Sequence, residues 1–382
     1  MKTLTLTLGC LVAVASTVPA QAQDQHLERA RRVLARTPLI DGHNDLPWAI
    51  REFVDAPRNV TAYDIAGRAP GHTDLARLER GMVGAQFWSV YIPADYADSG
   101  FARVQLEQID IARQFIAKYS GQFEMAGGAS DIERIFGTGK IASMLGIEGG
   151  HAIENSLGVL RTYYDLGARY MTLTHGGTID WADSATDEAR HGGLTRFGEE
   201  VVREMNRLGM LVDLSHVSPG TMSDALNVSE APVIFSHSSA RALVDVPRNV
   251  PDSILQRLPA NGGVVMVTFV RSFVSNDPET ASLSDVADHI EHIRRVAGVD
   301  HVGIGSDFDG IDAGPDGLED VSTFPALFAE LSRRGWSDED LAKLAGENLL
   351  RVMRAAERTA RRLQRQRLPS TKTIEELDGS VM

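Results

Sequence analysis

Residues Ile141–His151 read I-A-S-M-L-G-I-E-G-G-H, a short apolar run that stops on a carboxylate, Glu148, set among glycines. An apolar run of this length, bounded by glycine, predicts a buried strand, and glycines beside a carboxylate let a ligand approach closely. Similar runs recur along the chain at Leu39–Asp41, Ala85–Tyr91, Tyr170–Leu173, Leu211–Asp213, Val233–Phe235, Val264–Thr268 and Val302–Ile304. Amphipathic stretches such as Val104–Tyr119, Arg196–Leu208 and Leu283–Val296 lie between them. Eight short apolar strands separated by helices favour a single-domain α/β fold, a (β/α)8 TIM-type barrel. An open doubly wound sheet is the competitor, but the phosphate-cradling G-x-G-x-x-G that would support it is missing after the first strand. No linker-like run divides residues 24–365. Helical patterns continue through Ser337–Arg362, and the tail from Pro369 reads as a polar, extended arm.

The chain has 382 residues, 43% hydrophobic and 24% charged, which excludes collagen-like, disordered and polytopic membrane proteins. With 38 basic and 52 acidic residues it carries a formal charge of −14, which argues against a nucleic-acid binder. Lys2, the apolar stretch Leu4–Val18 and the small-x-small triplet Ala20-Gln21-Ala22 read as a signal peptide, too short to span a bilayer. The expected organisation is therefore a signal peptide at 1–22, the barrel at 23–368 and a polar tail at 369–382. Cys10, the only cysteine, lies inside the leader, and Thr7 stands where a lipobox would have leucine. The mature protein then has neither a disulfide nor a cysteine nucleophile. An exported, cysteine-free chain points to a bacterial periplasmic or secreted protein.

The residues just after each apolar run carry the chemistry. The first run ends Asp41-Gly42-His43-Asn44-Asp45, and in an extended segment His43 and Asp45 share a face. An imidazole beside a carboxylate suits a divalent metal such as zinc, although a solvated turn looks the same in isolation. Further runs end in Glu148, in Thr174-His175, in Asp213-Leu214-Ser215-His216, in Ser236-His237 and in Ser306-Asp307-Phe308-Asp309. A barrel brings all these ends to one mouth, where active sites sit. His43, Asp45, Glu148, His216 and His237 exceed the three protein ligands of a mononuclear catalytic zinc site, so two metals fit better than one. No lysine occurs between Lys140 and Lys343 to act as a carbamylated bridge, which leaves Glu148 as the natural one.

These residues resemble the membrane dipeptidase (renal dipeptidase) family of metal-dependent amidohydrolase barrels. The resemblance spans roughly Thr37 to Arg354 through D-G-H-N-D at Asp41–Asp45, G-I-E-G-G-H at Gly146–His151, L-T-H at Leu173–His175 and D-L-S-H-V-S at Asp213–Ser218. It continues with F-S-H-S-S-A-R at Phe235–Arg241, D-V-P-R-N at Asp245–Asn249 and G-I-G-S-D-F-D-G at Gly303–Gly310. It implies a dinuclear zinc enzyme that hydrolyses dipeptides by a metal-bridging hydroxide, with two Zn²⁺ per chain. His43 and Asp45 would bind one zinc, His216 and His237 the other, and Glu148 would bridge. His175 would contact the scissile carbonyl, Arg248 the substrate carboxylate, and Asp307 would handle protons, with Asp309 the weaker candidate.

Blander readings apply to the other conspicuous residues. His151 is either a support for Glu148 or a hydrogen-bonded loop histidine, and His289 and His292 read as surface or packing residues on a helix. His72 and His191 are left unassigned near the mouth, while Trp48 and Tyr91 are either pocket walls or packing. The family's lipid anchor and intersubunit cysteine links do not carry over, because Glu375–Met382 lacks an apolar segment and the only cysteine lies in the leader. The expected partners are therefore dipeptides, without nucleic acid or a membrane anchor, and a non-covalent homodimer stays open on family analogy alone. Two alternatives remain: a zinc amidohydrolase acting on N-acyl amino acids or β-lactams, and a binding protein on a dead barrel.

Overall fold

Nine strands, every pair of them parallel, organise the chain in the computed structural model, which describes residues 20–94, 96 and 100–379. They are β1 (Leu39–Asn44), β2 (Val83–Ser89), β3 (Phe123–Met125), β4 (Ile141–Glu148), β5 (Ala168–Thr172), β6 (Leu211–Asp213), β7 (Ile234–Phe235), β8 (Val264–Val267) and β9 (Val302–Ile304). β1 pairs with β2 on one side and β9 on the other, β2 pairs with β4, and β4 to β9 follow in order. Eight strands thus close a ring with helices around it, a (β/α)8 barrel. The ninth, β3, pairs only with the first residues of β4. At three residues, one of them Glu124, it has no readable period, and no strand is expected there from sequence.

Strand periodicity explains what each side chain faces. Ala142 and Met144 of β4 and Val264 and Met266 of β8 belong to one buried apolar cluster. Their neighbours Leu145, Ile147, Val265 and Val267 belong to the other, which extends to the surrounding helices. Period-two alternation produces this split. The inward row 142–144–146 of β4 ends on Glu148, which the alternation alone delivers to the barrel mouth. The helices bury one stripe each: Phe101–Lys118, for example, buries Val104, Ile109, Ala112, Phe115 and Ile116. Among the described residues no helix is long and apolar enough to cross a membrane.

The tail departs from the extended arm expected of it. Ile374–Asp378 forms a short helix with a capping box from Thr373 and Glu376, and Ile374 is 2% exposed. Burying that one side chain contributes about 1.5–3 kcal/mol. The Asp378 carboxylate accepts from the backbone N–H groups of Arg196 and Phe197, at the start of helix Arg196–Leu208. Polar composition suggested solvent; those side chains instead cap helices, while Ile374 and the partly buried Leu377 anchor the segment to the core. The leader at 1–22 lies outside the described residues except for Ala20–Ala22.

Candidate metal centre

The polar residues at or just past the C-terminal ends of β1, β4, β5, β6, β7 and β9 converge on one buried cluster. Glu148 stands at its middle. Its Oε1 lies 2.9 Å from His216 Nε2, 3.3 Å from His237 Nε2 and 3.9 Å from His175 Nε2. Its Oε2 is 3.4 Å from His43 Nε2 and accepts from Ser89 Oγ at 3.3 Å. His43 Nε2 also faces Asp45 Oδ2 at 3.2 Å and Asp307 Oδ1 at 3.9 Å. Three overlapping groups have ligand atoms within 4.8 Å of one another: His43–Glu148–His237, Glu148–His175–His216 and His43–Asp45–Asp307. All five expected ligands are therefore together. His175 and Asp307, expected to serve substrate and protons, stand within the same reach.

His43 and Asp45 meet for a different reason than strand alternation. The β1–β2 register is irregular between Asp41 and Asn44, and Asp45 lies past the strand, where it precedes helix Leu46–Arg51. A bulge and a turn, not a shared pleat, bring the two side chains together, with His43 Nε2 facing both Asp45 and Glu148. Three other site residues have left-handed backbones without being glycine: His216 (φ 68°), Asp307 (φ 69°) and Asp309 (φ 65°). Such conformations cost on the order of 1–3 kcal/mol each and concentrate where function fixes a side chain. Gly310 accommodates this arrangement, since a Cβ there would sit 2.3 Å from Asp45 Oδ2 and 2.8 Å from Asp307 Oδ1.

The electrostatics suit a cation. Burial would raise Glu148, but His43, His216 and His237 around it hold its carboxyl well below the usual range. Burial keeps His216 and His237 well below the ordinary imidazole range, and Arg248 adds to the effect. They are thus neutral, the form that binds metal. Burial alone would also depress His43, yet its contacts with Tyr170, Glu148 and Asp45 lift it well above its usual value. Asp307 is raised well above the carboxylate range by burial and by its neighbours Asp45 and Glu148, against the pull of His43 and Arg248. His43 Nε2 and Asp45 Oδ1 are buried without a hydrogen bond. Leaving such atoms unpaired is expensive, and a metal ion would satisfy both. Imidazole and carboxylate together fit zinc or a similar borderline cation.

A cavity of about 470 Å³ opens above the cluster, within the size range of small-molecule sites. Trp48, Tyr91, Val270, Phe273 and Ile311 give it apolar walls. The Tyr91 ring packs at 4.7 Å from that of His175, and Trp48 meets Tyr91 edge-on at 5.0 Å, so both aromatics are pocket walls. Arg248 borders the same cavity while 5% exposed. Its Nη2 donates to His237 O at 3.4 Å, its guanidinium lies 5.4 Å from the Phe273 ring, and its Nη1 has no hydrogen bond. Asp309 is turned away from the cluster and engages the loop at His72, whose N–H it accepts at 2.6 Å.

The remaining histidines have structural partners. His151 Nε2 bonds Ile92 O rather than Glu148, and burial lowers it to about 4. His191 bonds Ile179 O, His289 accepts from Ala240 N–H, and His292 pairs with Asp252. His289 and His292 are both buried, so packing is the reading that applies. Sequence reasoning missed the layer beneath the cluster. Tyr170 Oη lies 2.8 Å from His43 Nδ1, and Ser236 Oγ lies 2.8 Å from His237 Nδ1 while donating to Asp213 Oδ2 at 2.6 Å. Asp41 likewise accepts from Ser306 N–H and Oγ–H. The signal available was a polar residue inside an apolar run, which Asp213 and Tyr170 both supply.

A closed parallel barrel with imidazoles and carboxylates clustered at its C-terminal mouth defines a metal-dependent hydrolase barrel. Residues 27–367 match the membrane dipeptidase family (peptidase family M19), and the chain belongs to that family. It is a metallo-dipeptidase, a hydrolase. It is 45% identical over 352 residues to the dipeptidase verJ of Clonostachys rogersoniana, covering 89% of this chain and 90% of the relative. Among solved structures, a metallopeptidase from Rhodobacter sphaeroides liganded with a phosphinate mimic of the dipeptide L-Ala-D-Ala is 26% identical. It superposes with a TM-score of 0.76 over 84% of this chain and 99% of that one. The probable dipeptidase PvdM of Pseudomonas aeruginosa shares the fold at 24% identity and a TM-score of 0.80, covering 88% and 100% of the two chains.

Proposed function

We propose that the enzyme hydrolyses dipeptides at a dinuclear zinc centre, with His43 and Asp45 on one cation, His216 and His237 on the other and Glu148 shared between them. The observation that carries this reading is Glu148, whose two oxygens lie within 3.4 Å of three imidazole nitrogens. Bound there, a pair of divalent cations supplies Lewis acidity toward the scissile carbonyl and acidifies the attacking water. The protein's own groups do the rest. His175, at the cavity floor, donates to the oxygen on which negative charge develops. Asp307 takes the proton of the attacking water and returns it to the departing amine. The apolar walls exclude solvent, and the phosphinate–dipeptide complex of the Rhodobacter relative supports a substrate of dipeptide size. The leader-like segment before Ala22 supports export to the periplasm or medium. Metal analysis together with turnover of a panel of dipeptides, N-acyl amino acids and β-lactams tests the assignment. Preference for either of the latter classes, or full activity without metal, would overturn it.

Arg248 sets the length of the substrate in this proposal. A dipeptide's carboxylate lies one residue beyond the scissile bond, and Nη1 of a buried guanidinium with no partner is suited to grip it. Such a contact contributes about 1.5–3 kcal/mol, or roughly 10- to 150-fold in kcat/KM. Arg248→Ala is expected to lower kcat/KM for a dipeptide by that factor while changing little for its C-terminal amide. Equal losses on both substrates would assign Arg248 to the fold instead.

A further inference from the structure

We propose that Tyr170 is the positioning residue of His43, its hydroxyl holding Nδ1 so that Nε2 is presented to the cation site formed with Asp45. The inference rests on the reading that His43 holds a metal. The His43 side chain is fully buried and its two ring nitrogens have different surroundings. Nε2 faces the Asp45 and Glu148 carboxylates at 3.2 and 3.4 Å. Nδ1 meets only the Tyr170 hydroxyl, at 2.8 Å, and that hydroxyl makes no other hydrogen bond among the described residues. A phenol both donates and accepts. It therefore accepts Nδ1–H when Nε2 is committed to a cation, which is how outer partners fix a ligand's tautomer and orientation.

The seat of the phenol ring is built into two other strands. Gly146, the first glycine of the G-I-E-G-G-H motif, lies against it: a Cβ there would stand 2.0 Å from Tyr170 Cζ and 2.4 Å from Oη. Phe87 of β2 packs at 5.0 Å from the Tyr170 ring. That glycine therefore makes room for the support of one ligand, two residues before it delivers another. The partner histidine is braced differently. Behind His237 stands Ser236, and behind Ser236 the Asp213 carboxylate, which Thr172 Oγ–H and two backbone N–H groups also reach. One imidazole leans on a carboxylate-backed hydroxyl, the other on a single neutral phenol. Tyr170 is the only hydrogen-bond partner of His43 Nδ1 among the described residues, so its loss acts first on the cation site of His43.

The test is a titration of the metal-free full-length protein with Co²⁺, read by visible absorption against a competing chelator, with the melting temperature of each metal-free variant alongside. Tyr170→Phe keeps the ring and removes the hydroxyl. The expected result is a loss of about 10- to 100-fold in affinity at one cobalt site, with the other site unchanged and the metal-free melting temperature lowered only by what one unpaired buried nitrogen costs. In a His43→Ala background the same substitution is expected to add nothing. Gly146→Ala, whose Cβ crowds the ring and its hydroxyl out of place while leaving the phenol chemically intact, is the second variant and should show the same selective loss. Unchanged affinities in Tyr170→Phe would overturn the proposal, as would a loss that persists without His43 or a lowered melting temperature with normal binding. Failure of the unmodified protein to bind cobalt would instead overturn the metal reading on which it rests.

Discussion

Glu148→Gln is expected to lose bound metal and turnover together. The substitution keeps the volume and the inward direction set by the row 142–144–146 of β4, so the barrel should still close. It removes the charge toward which three imidazole nitrogens point, at 2.9, 3.3 and 3.4 Å. In the proposed centre two divalent cations would repel each other, and the Glu148 carboxylate would offset that repulsion. A neutral amide does not supply that compensation. Loss of an outer support weakens metal binding about 10- to 100-fold, and loss of a shared ligand should exceed it at one site at least. Elemental analysis after exhaustive dialysis, paired with the rate on a good dipeptide, checks this. Two tightly held zincs in an active Glu148→Gln protein would remove Glu148 from the bridging role.

How much of this was visible beforehand differs between the barrel and its site. Strand ends were legible because an apolar run and the polar residues after it are local features. Leu211–Asp213 and Val302–Ile304 coincide with the observed strands, and His43, Asp45, Glu148, His175, His216, His237, Arg248 and Asp307 all border one centre. The reasons for their placement were not local. Alternation was expected to aim His43 and Asp45 together, yet a register irregularity and a turn do so. The left-handed backbones of His216 and Asp307 leave no mark in residue type, because only glycine announces that conformation. Tyr170 reads as an ordinary strand aromatic until the ring across the barrel from it is known to be His43. Supports of this kind join residues far apart in the chain, and a single sequence carries no trace of the pairing. The tail illustrates the same limit, since nothing near Asp378 indicates that it caps a helix beginning at Arg196.

Asp307→Asn separates proton transfer from metal binding, and the expected outcome is a protein that keeps both cations while kcat falls by roughly 10²–10⁴-fold. Peptide nitrogen leaves only as a protonated amine, so some group must collect the water's proton and deliver it across the scissile bond. Asp307 is placed for that task by a left-handed backbone after β9 and by the absence of a side chain at Gly310. Burial and the neighbouring Asp45 and Glu148 push its carboxyl well above the ordinary range, toward the protonated form needed for delivery. Its Oδ1 is 3.9 Å from His43 Nε2, against 3.2 Å for Asp45, so metal content must be read alongside the rate. Asparagine preserves size and polarity but neither accepts nor carries the proton. Steady-state kinetics and metal content on the same preparation decide the matter. Loss of a cation would make Asp307 a ligand, completing the group it forms with His43 and Asp45. An unchanged kcat would move the proton to another carrier, with Asp309, whose Oδ1 accepts from the His72 backbone, the next residue to substitute.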